Sequence, residues 1–468
     1  MVQDEKKAGF VKGLGLLSAT NIVIGSMIGS GIFIAPSLMA GYIQTPGLLV
    51  LLWVLGGIIT ICAALSMAEL ASAFPRAGGQ YVFLREIYSP AVGFLFGWTI
   101  FLVIQTGFIA AVSIAFAKYL GVFFPFLGEK QQVLSVALAG RTFSLSSAQL
   151  VSILGIVILT VINIRGVKWG ALVQNLFTVA KVAALLVLGG SALLIGAGSF
   201  KNFLPLLKPV LPPAASLPLF AALAVAMSKA LFAYDAWNSV TFVAEEVRHP
   251  QRNVPRALFW GSGITMLVNV LAVMAYIYII PVERLALVAE NRVGGAVAEA
   301  VLGPAGLVFI TLAILVSTFG CVNGLILSGA RLYYAMARDR VFFETNGRLH
   351  PRYQTPHLAL VFQGIWSCLL VVTGTYNDLL TYTVFGSLLF NVLTVAGVIR
   401  LRSSRPDLER PYRVFAYPVL PLFYVAVAGF FIVYIVIGDP FNSLKGILVM
   451  LSGIPAYLFW KKRSAKQR

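Results

Sequence analysis

Long apolar segments alternate with short polar connections along the whole chain. A helix needs about 20 mostly apolar residues to cross the ~30 Å hydrocarbon core of a bilayer. The pattern predicts an all-α integral membrane protein with twelve transmembrane helices, at residues 15–41, 46–73, 91–119, 147–164, 168–196, 216–244, 254–280, 297–336, 357–374, 378–401, 414–437 and 441–460. The eighth segment is long enough to extend past the membrane, and residues 281–296 are predicted to form a short amphipathic connection. No connection is long enough to separate domains, so residues 1–468 are predicted to form one domain.

The composition supports a membrane protein and excludes several other classes. Of the 468 residues 59% are hydrophobic and only 11% are charged, whereas soluble proteins have about 25% charged residues. A cytosolic enzyme or a disordered chain is therefore excluded. The cysteines lie in apolar segments and the histidines in polar connections, without the spacing of a metal site or a nucleophile and its base: Cys62, Cys321, Cys368, His249, His350 and His357. We therefore predict no catalytic residues, no metal and no cofactor.

The net charge of +18 is explained by membrane topology. If the N-terminus lies inside, 25 of the 35 basic residues fall in inner connections and 8 in outer ones, while Lys181 and Lys229 fall within spans. Basic residues concentrate in cytoplasmic loops, so both termini are predicted to be cytoplasmic. The basic excess then needs no nucleic acid partner. Lys6, Lys7 and Lys12 precede an apolar stretch without a signal-peptide cleavage site, so this stretch is predicted to be the first membrane helix.

Two spans carry interruptions. The first contains GSMIGSG over residues 25–31, and the sixth contains FAYDAWN over residues 232–238. Unwound backbone in a bilayer persists only where it faces protein or a polar cavity. Unwinding leaves amides at the start of one half-helix, which attract an anion, and carbonyls at the end of the other, which attract a cation. Paired broken helices therefore indicate a transporter for a zwitterion, although Gly25 and Gly29 also fit a close-packing motif between helices.

These stretches resemble a known family. Residues 29–33 (GSGIF) with Pro36 resemble the first-helix signature of the amino acid–polyamine–organocation (APC) superfamily. Residues 232–237 with the acidic and proline positions that follow (Glu245, Glu246, Pro250, Asn253 and Pro255) resemble the sixth helix of its L-type amino acid transporter (LAT) branch. Residues 317–331 and 405–411 resemble the eighth helix of that branch and the loop after its tenth. The resemblance, to a bacterial-type member, runs from about residue 13 to 437. It implies the LeuT fold, with inverted repeats at about 14–196 and 216–401 and additional helices within 414–460.

The resemblance also implies a substrate site between the first and sixth helices. The amides of Gly29, Ser30 and Gly31 would bind the substrate carboxylate. The carbonyls of Met27, Phe232 and Asp235, in a segment that includes Ala233, would bind the ammonium group, and the ring of Phe232 would be the outer gate. The family usually has glycine at the position of Asp235. A carboxylate that faces the pocket would favour cationic substrates, and the alternative is a side chain that caps the backbone locally.

Two lysines lie within the predicted spans. An intramembrane charge is a functional hypothesis by default, and Lys181 resembles a built-in substitute for the sodium ion of sodium-coupled relatives, holding the unwound first helix through its carbonyls. The alternative is a lysine that extends to the membrane surface. Lys229 has three interpretations: a residue of the outer vestibule, a partner of Asp235, or a solvated lysine without a specific role.

Three uncharged side chains within the spans are further candidates. Asn323, in the eighth span, is either a wall of the substrate pocket or a hydrogen bond between helices. Tyr234 and Trp237 are either packing aromatics or parts of a gate.

Together these features predict sodium-independent exchange of neutral L-amino acids across the plasma membrane by alternating access. The alternative is a proton-coupled symporter, with Lys181 or Asp235 titrating, that also accepts cationic amino acids. A channel would need a continuous polar pore. An enzyme would need reactive groups that converge within the spans, and the sequence shows neither feature. A receptor that keeps the site and loses transport stays open. Measured flux would decide that question.

The expected partners are the amino acid substrate and the lipid bilayer. Animal members of the branch pair with a glycoprotein through a cysteine between the third and fourth helices. Residues 120–146 hold no cysteine, and the chain has no Asn-x-Ser/Thr sequon. We therefore expect a protein that works alone, as a monomer without a disulfide-linked heavy subunit; the alternative is a partner bound without a disulfide.

Overall fold

The computed structural model describes residues 10–128, 131–138, 141–207, 218–373 and 376–466. Several basic residues that were assigned to a membrane side above lie outside these ranges, namely Lys6, Lys7, Lys130, Lys208 and Arg468. The described part of the chain is predominantly helical.

The first half of the described chain contains eight α-helices and a β-hairpin. A π-helical turn at Ile100–Ile104 joins α5 to α6. The elements are α1 Leu16–Met27, α2 Gly31–Ala40, α3 Pro46–Ala73, α4 Gln80–Ile87, α5 Pro90–Thr99, α6 Gln105–Phe123, β1 Gln132–Leu138, β2 Arg141–Ser146, α7 Ser147–Ile164 and α8 Val167–Ile195.

The second half adds nine further helices. A short 3₁₀ turn at Ala244–Glu246 leads from α10 towards α11. The helices are α9 Leu219–Tyr234, α10 Ser239–Phe242, α11 Pro250–Ile279, α12 Val282–Leu285, α13 Val293–Arg338, α14 His357–Thr373, α15 Tyr376–Ser404, α16 Val419–Gly438 and α17 Pro440–Lys466.

The membrane segments agree with the hydrophobic pattern at the level of a multi-pass helical protein. Within the described ranges, 10 helical segments are long and apolar enough to cross a membrane. Two shorter apolar helices, Leu219–Tyr234 and His357–Thr373, occupy the positions predicted for the sixth and ninth spans. The sixth segment is shorter than predicted because α9 ends at Tyr234, where the backbone unwinds.

The structure adds one element to the prediction and corrects the bounds of another. An antiparallel hairpin, β1–β2, lies in the connection between the third and fourth spans, where no strand was predicted, while the described chain remains predominantly helical as predicted. The eighth span does not begin at residue 297, because Gly303 has a positive φ of 62° and Pro304 follows it. This kink separates a short helix at 293–302 from a long one at 304–338, since proline disrupts the helical hydrogen bonds that precede it.

The interrupted helices lie at the centre of the bundle. Every residue of α1 from Ala19 onward is buried, and so is every residue of α9 from Ala224 onward. Helix α1 packs on α8 and α11, and α2 packs on α9. By contrast α7, α16 and α17 present exposed leucine and valine side chains, such as Leu154, Val433 and Leu448, as lipid-facing helices do. The unwound backbone is therefore enclosed by protein, as a bilayer requires.

Candidate functional site

The first interruption lies between Met27, which ends α1, and Gly31, which begins α2. The amide of Ile28 still donates to Ile24 at 2.8 Å, but the amide of Gly29 turns back to the carbonyl of Met27 at 3.0 Å. The break therefore falls within the glycine-rich segment that the sequence indicated. In this conformation the Gly29 amide, which the resemblance assigns to a carboxylate, is engaged locally.

The glycines of this segment also permit close packing. A Cβ at Gly25 would overlap the side chains of Gln174 and Thr178, and one at Gly29 would lie 2.7 Å from Cys321 Sγ. Such contacts leave no room for a side chain. The packing interpretation and the break are thus both correct, because the glycines that let the helix unwind also let α8 and α13 approach it.

Lys181 on α8 binds the carbonyls at the end of α1. Its side chain is 1% exposed, which excludes an extension to the membrane surface. Its Nζ donates to the carbonyl oxygens of Gly25 at 2.8 Å, Ile28 at 2.6 Å and Ser317 at 3.1 Å. An ammonium group has three donors, and all of them are used here. Lys181 therefore places a positive charge where the helix terminus concentrates partial negative charge.

Helix α13 supplies further donors to the same break. Ser317 Oγ donates to the carbonyl of Ile28 at 3.2 Å, and Cys321 Sγ donates to that of Ser26 at 3.1 Å. Cys321 therefore contacts the first break directly, although its position in an apolar segment gave no sign of this contact. Ser317 lies in a segment that carried the family resemblance, but nothing in the sequence pattern pointed to its contact with the first helix.

The second interruption lies between Tyr234, which ends α9, and Ser239, which begins α10. Ala236 adopts a left-handed conformation with φ 65°. Asp235 caps this turn itself, since its Oδ1 accepts from the amide of Ala236 at 2.7 Å, and it also bonds the side chain of Ser387. The geometry therefore favours a local role for the Asp235 carboxylate.

Asp235 also lies beside a cavity. Its side chain lines a small cavity together with Trp237 and with residues of α3, α15 and α16, among them Thr60, Ser387 and Tyr424. The amide of Asp235 donates to the carbonyl of Phe232 at 3.3 Å. One of the carbonyls assigned to the substrate ammonium is thus used by a local turn in this conformation.

The ends of two half-helices meet between the interruptions. A Cβ at Gly31 would lie 2.6 Å from the Cβ of Ala233, so the start of α2 touches the last turn of α9. Helix starts carry amides, and helix ends carry carbonyls, that the regular helical bonds leave unused; here the amide of Phe33 bonds the carbonyl of Ser30 at 3.1 Å, and the carbonyl of Phe232 accepts from Asp235 at 3.3 Å. The ring of Phe232 stacks on that of Phe108 in α6, with centroids 4.8 Å apart. Sequence reasoning missed Phe108, because an aromatic residue in a plain apolar span carries no distinguishing signal.

The remaining candidates lie in the bundle around the breaks. Asn323 donates to the carbonyl of Gly170 at 3.0 Å and accepts from Asn163 at 2.9 Å, which favours a contact between helices over a pocket wall. Tyr234 packs edge-on against Trp53, with centroids 5.6 Å apart.

Lys229 is buried at 3% exposure. The acidic residue whose charge acts on it is Asp439, next to the end of α16. The contacts of Asp235 with Ala236 and Ser387 give no support to a pair between Asp235 and Lys229.

The predicted cytoplasmic ends of the same helices are joined to each other. Leu14 forms a parallel bridge with Val247, through its amide to the carbonyl of Glu246 at 3.1 Å and its carbonyl to the amide of Arg248 at 2.8 Å. The Glu246 carboxylate pairs with Arg331 at 2.6 Å, and both side chains are buried. We call residues 14 and 246–248 with Arg331 the inner closure.

A second set of contacts flanks the inner closure. Tyr81 of α4 donates to Asp339 at 2.7 Å, and Arg85 also bonds this carboxylate. Burial and the charge of Asp339 raise the pKa of Tyr81, so its hydroxyl stays protonated and remains a donor.

Comparison with known proteins gives one consistent result. A family model described as amino acid permease matches residues 14–452. The chain is 30% identical to the serine/threonine exchanger SteT of Bacillus subtilis (strain 168) over 98% of each chain. It is also 30% identical to the b(0,+)-type amino acid transporter 1 of Rattus norvegicus, over 98% of this chain and 89% of the relative. The large neutral amino acids transporter small subunit 2 of Homo sapiens is 30% identical, over 97% of this chain and 81% of the relative.

Proposed function

The chain belongs to the amino acid permease family of the APC superfamily, and we propose that it exchanges neutral L-amino acids across the cell membrane without sodium. It is a multi-pass membrane transporter rather than an enzyme, as the names of its family and relatives agree. Its amino acid substrates follow from the same relatives.

The architecture that fits this function is the LeuT fold with twelve membrane helices and both termini in the cytoplasm. Each proposed repeat, at about 14–196 and 216–401, begins with an interrupted helix, α1–α2 in the first and α9–α10 in the second. Broken helices in corresponding positions of two halves are typical of transporters with inverted repeats. The helices within 414–460 then lie outside both repeats.

The observation that carries the proposed site is the contact between the start of α2 and the end of α9, at Gly31 and Ala233. Amides at a helix N-terminus attract a carboxylate, and carbonyls at a C-terminus attract an ammonium group. A zwitterionic amino acid matches both ends at once. We assign its carboxylate to the amides of Ser30 and Gly31, with Gly29 joining when its local turn opens.

The substrate ammonium is assigned to carbonyls of both breaks, at Met27, Phe232 and Asp235. The ring of Phe232 would close the outer side of the site by its stacking on Phe108. In this conformation the carbonyls of Met27 and Phe232 accept hydrogen bonds from nearby amides of the chain. These bonds would have to break before the carbonyls could bind the substrate. Asn323 is left as a helix contact beside the site.

Sodium independence rests on Lys181. Its ammonium group already donates to the carbonyls of Gly25, Ile28 and Ser317. A sodium ion at this point would need the same oxygen ligands and would meet a resident positive charge. We therefore propose that Lys181 performs permanently the structural task of a bound sodium ion.

Selectivity for neutral amino acids rests on the local role of Asp235. Its carboxylate caps Ala236 and bonds Ser387 instead of standing ready for a substrate cation. We also propose a monomer that needs no disulfide-linked heavy subunit, since residues 120–146 contain no cysteine. Light scattering of the purified protein would test the monomer.

Counterflow in liposomes tests the transport proposal. Liposomes preloaded with serine, threonine, leucine or arginine would receive labelled serine outside, in sodium or choline buffer at clamped pH. For an exchanger that crosses the membrane mainly when loaded, preloading with a neutral substrate raises uptake about tenfold. Sodium and a pH gradient should change nothing. Equal uptake into empty liposomes would contradict exchange, and uptake that follows an imposed pH gradient would favour the proton-coupled alternative.

A further inference from the structure

A second cavity lies on the predicted cytoplasmic side, away from the proposed substrate site. It is an open pocket of about 380 Å³ between α3, the first turns of α11 and the segment 411–415. Two arginines and a group of aromatic residues dominate its lining, namely Arg252, Arg256, Phe259, Trp260, Tyr412 and Phe415. Nothing in the proposed transport cycle uses this cavity.

The wall at 411–415 is fixed to α3 by hydrogen bonds. The amide of Val414 donates to Glu69 Oε2 at 2.8 Å, and Arg402 donates to the same oxygen at 2.6 Å. The amide of Tyr412 donates to Ser72 Oγ at 3.2 Å, and Ser72 Oγ donates back to the carbonyl of Tyr412 at 3.3 Å. The cavity is therefore held open by bonds of the fold rather than by a free loop.

The positive charge in the cavity is unbalanced. Arg252 and Arg256 lie four residues apart, on one face of the first two turns of α11. The start of a helix is itself positive, so the guanidinium group of Arg252, in the first turn of α11, lies where a positive charge is disfavoured. Among the described residues neither arginine forms an ion pair. This arrangement becomes favourable when an anion occupies the cavity.

The rest of the lining is apolar and open to the surroundings of the helix bundle. Phe259, Trp260 and Phe415 are 44%, 57% and 61% exposed. Trp and Tyr concentrate at the boundary between the hydrocarbon and the polar headgroups of a bilayer, and Trp260 and Tyr412 both line this cavity. The cavity thus joins a basic end to an apolar, membrane-facing end, which is the shape of a phospholipid rather than of a free anion.

We propose that this cavity binds an anionic phospholipid of the inner leaflet. The lipid phosphate bonds Arg252 and Arg256, and an acyl chain lies along Phe259, Trp260 and Phe415. Basic pockets between membrane helices on the cytoplasmic side are suited to anionic headgroups. The binding involves only non-covalent contacts and is independent of which amino acid the protein transports.

The test measures lipid binding to the full-length purified protein. Phosphatidylglycerol is titrated into detergent-solubilised protein and bound lipid is counted by native mass spectrometry, with phosphatidylcholine and inorganic phosphate as parallel ligands. We expect saturable binding of phosphatidylglycerol and none of comparable affinity for phosphatidylcholine. Equal binding of the two lipids, or displacement of phosphatidylglycerol by millimolar inorganic phosphate, would overturn the proposal.

Three double variants locate the site. R252Q/R256Q should weaken phosphatidylglycerol binding about 25-fold, since each arginine near an anionic membrane surface contributes about a factor of five. R252K/R256K keeps the charge and should stay within about threefold of the unmodified protein. R348Q/R352Q is the matched control, because it removes two exposed arginines from the same predicted side outside the cavity. If R348Q/R352Q weakens binding as much as R252Q/R256Q, the cavity is not the site.

Discussion

The two helix breaks satisfy their backbone groups in opposite ways. In the first break, the carbonyls of α1 and the residues after it are bound by side chains from other helices, Lys181 of α8 and Ser317 of α13. In the second break, which interrupts the sixth span, the chain bonds itself. Asp235 caps Ala236, and the amide of Asp235 donates to the carbonyl of Phe232. The first break is thus held mainly by other helices, with one local turn from Gly29 to Met27, and the second mainly by its own residues, with one bond from Asp235 to Ser387 of α15.

This difference indicates which break changes shape more easily. Rearranging the first break requires a buried ammonium group to give up its acceptors, and an unpaired buried polar group costs about 1–3 kcal/mol. Rearranging the second break, in the sixth span, mainly exchanges hydrogen bonds between residues that are close together in the chain. We therefore expect the sixth helix to do most of the local adjustment around a substrate, while the first stays fixed to α8 and α13.

The prediction with the largest expected effect tests whether the sixth span is stabilised by its own contacts along its whole length. Beyond its break, Glu246 depends on Arg331 of α13, and both side chains are buried. Arg331→Met leaves this carboxylate without its partner and should lower the free energy of unfolding by about 3–5 kcal/mol. Thermal unfolding in detergent measures the loss.

The double variant Arg331→Met/Glu246→Leu is the control for this prediction. Replacing both members of a buried ion pair with apolar residues is often neutral or stabilising, so the double variant should regain most of the stability. If Arg331→Met alone unfolds like the unmodified protein, the inner closure does not depend on this pair, and the sixth helix is self-contained along its whole length.

The next effect tests whether the first break depends on α8. Lys181→Ala removes the donors to Gly25, Ile28 and Ser317, and should lower exchange about 100-fold, because several buried carbonyls lose their partner. Lys168→Ala, at an exposed position of the same helix, is the matched control. If added sodium restores exchange in the Lys181→Ala variant, this would support the proposal that Lys181 replaces a bound sodium ion. Normal exchange in sodium-free buffer would refute the role of Lys181.

A third variant tests the contact between the breaks. Gly31→Ala places a Cβ 2.6 Å from that of Ala233 and must push the start of α2 from the end of α9. Overpacking of this kind costs about 1–3 kcal/mol, so substrate affinity should fall about tenfold or more. Gly155→Ala is the control, since its Cβ meets no atom within 4 Å. Equal affinity in both variants would mean that this contact does not shape the site.

The sequence predicted the breaks and missed most of what surrounds them. Charges are rare within the apolar spans, and three glycines in seven residues are unusually dense, so residues 25–31, Lys181 and Asp235 are distinguished by chemistry alone. Phe108 gave no such signal, because its role depends on which ring of α9 packs against it.

The sequence also does not determine where the Asp235 side chain points or at which residue the eighth span begins. Whether the Asp235 carboxylate faces a substrate depends on the backbone angles of one unwound turn, which residue types do not specify. The kink at Gly303 is the opposite case. A glycine–proline pair disrupts a helix, but the apolar run continues through it, so the predicted eighth span begins too early.

The smallest expected effect concerns the carboxylate of Asp235. Asp235→Ala loses the bond to the amide of Ala236, and loss of such a backbone cap should lower stability by about 1 kcal/mol. Asp235→Asn keeps an oxygen in that position and should recover most of the loss. Because the carboxylate is used by its own turn, neither substitution should alter the ratio of arginine to serine transport. A change in that ratio of about tenfold would correspond to ~1.4 kcal/mol of direct charge recognition, and the sixth break would then bind substrate through its side chain as well as its backbone.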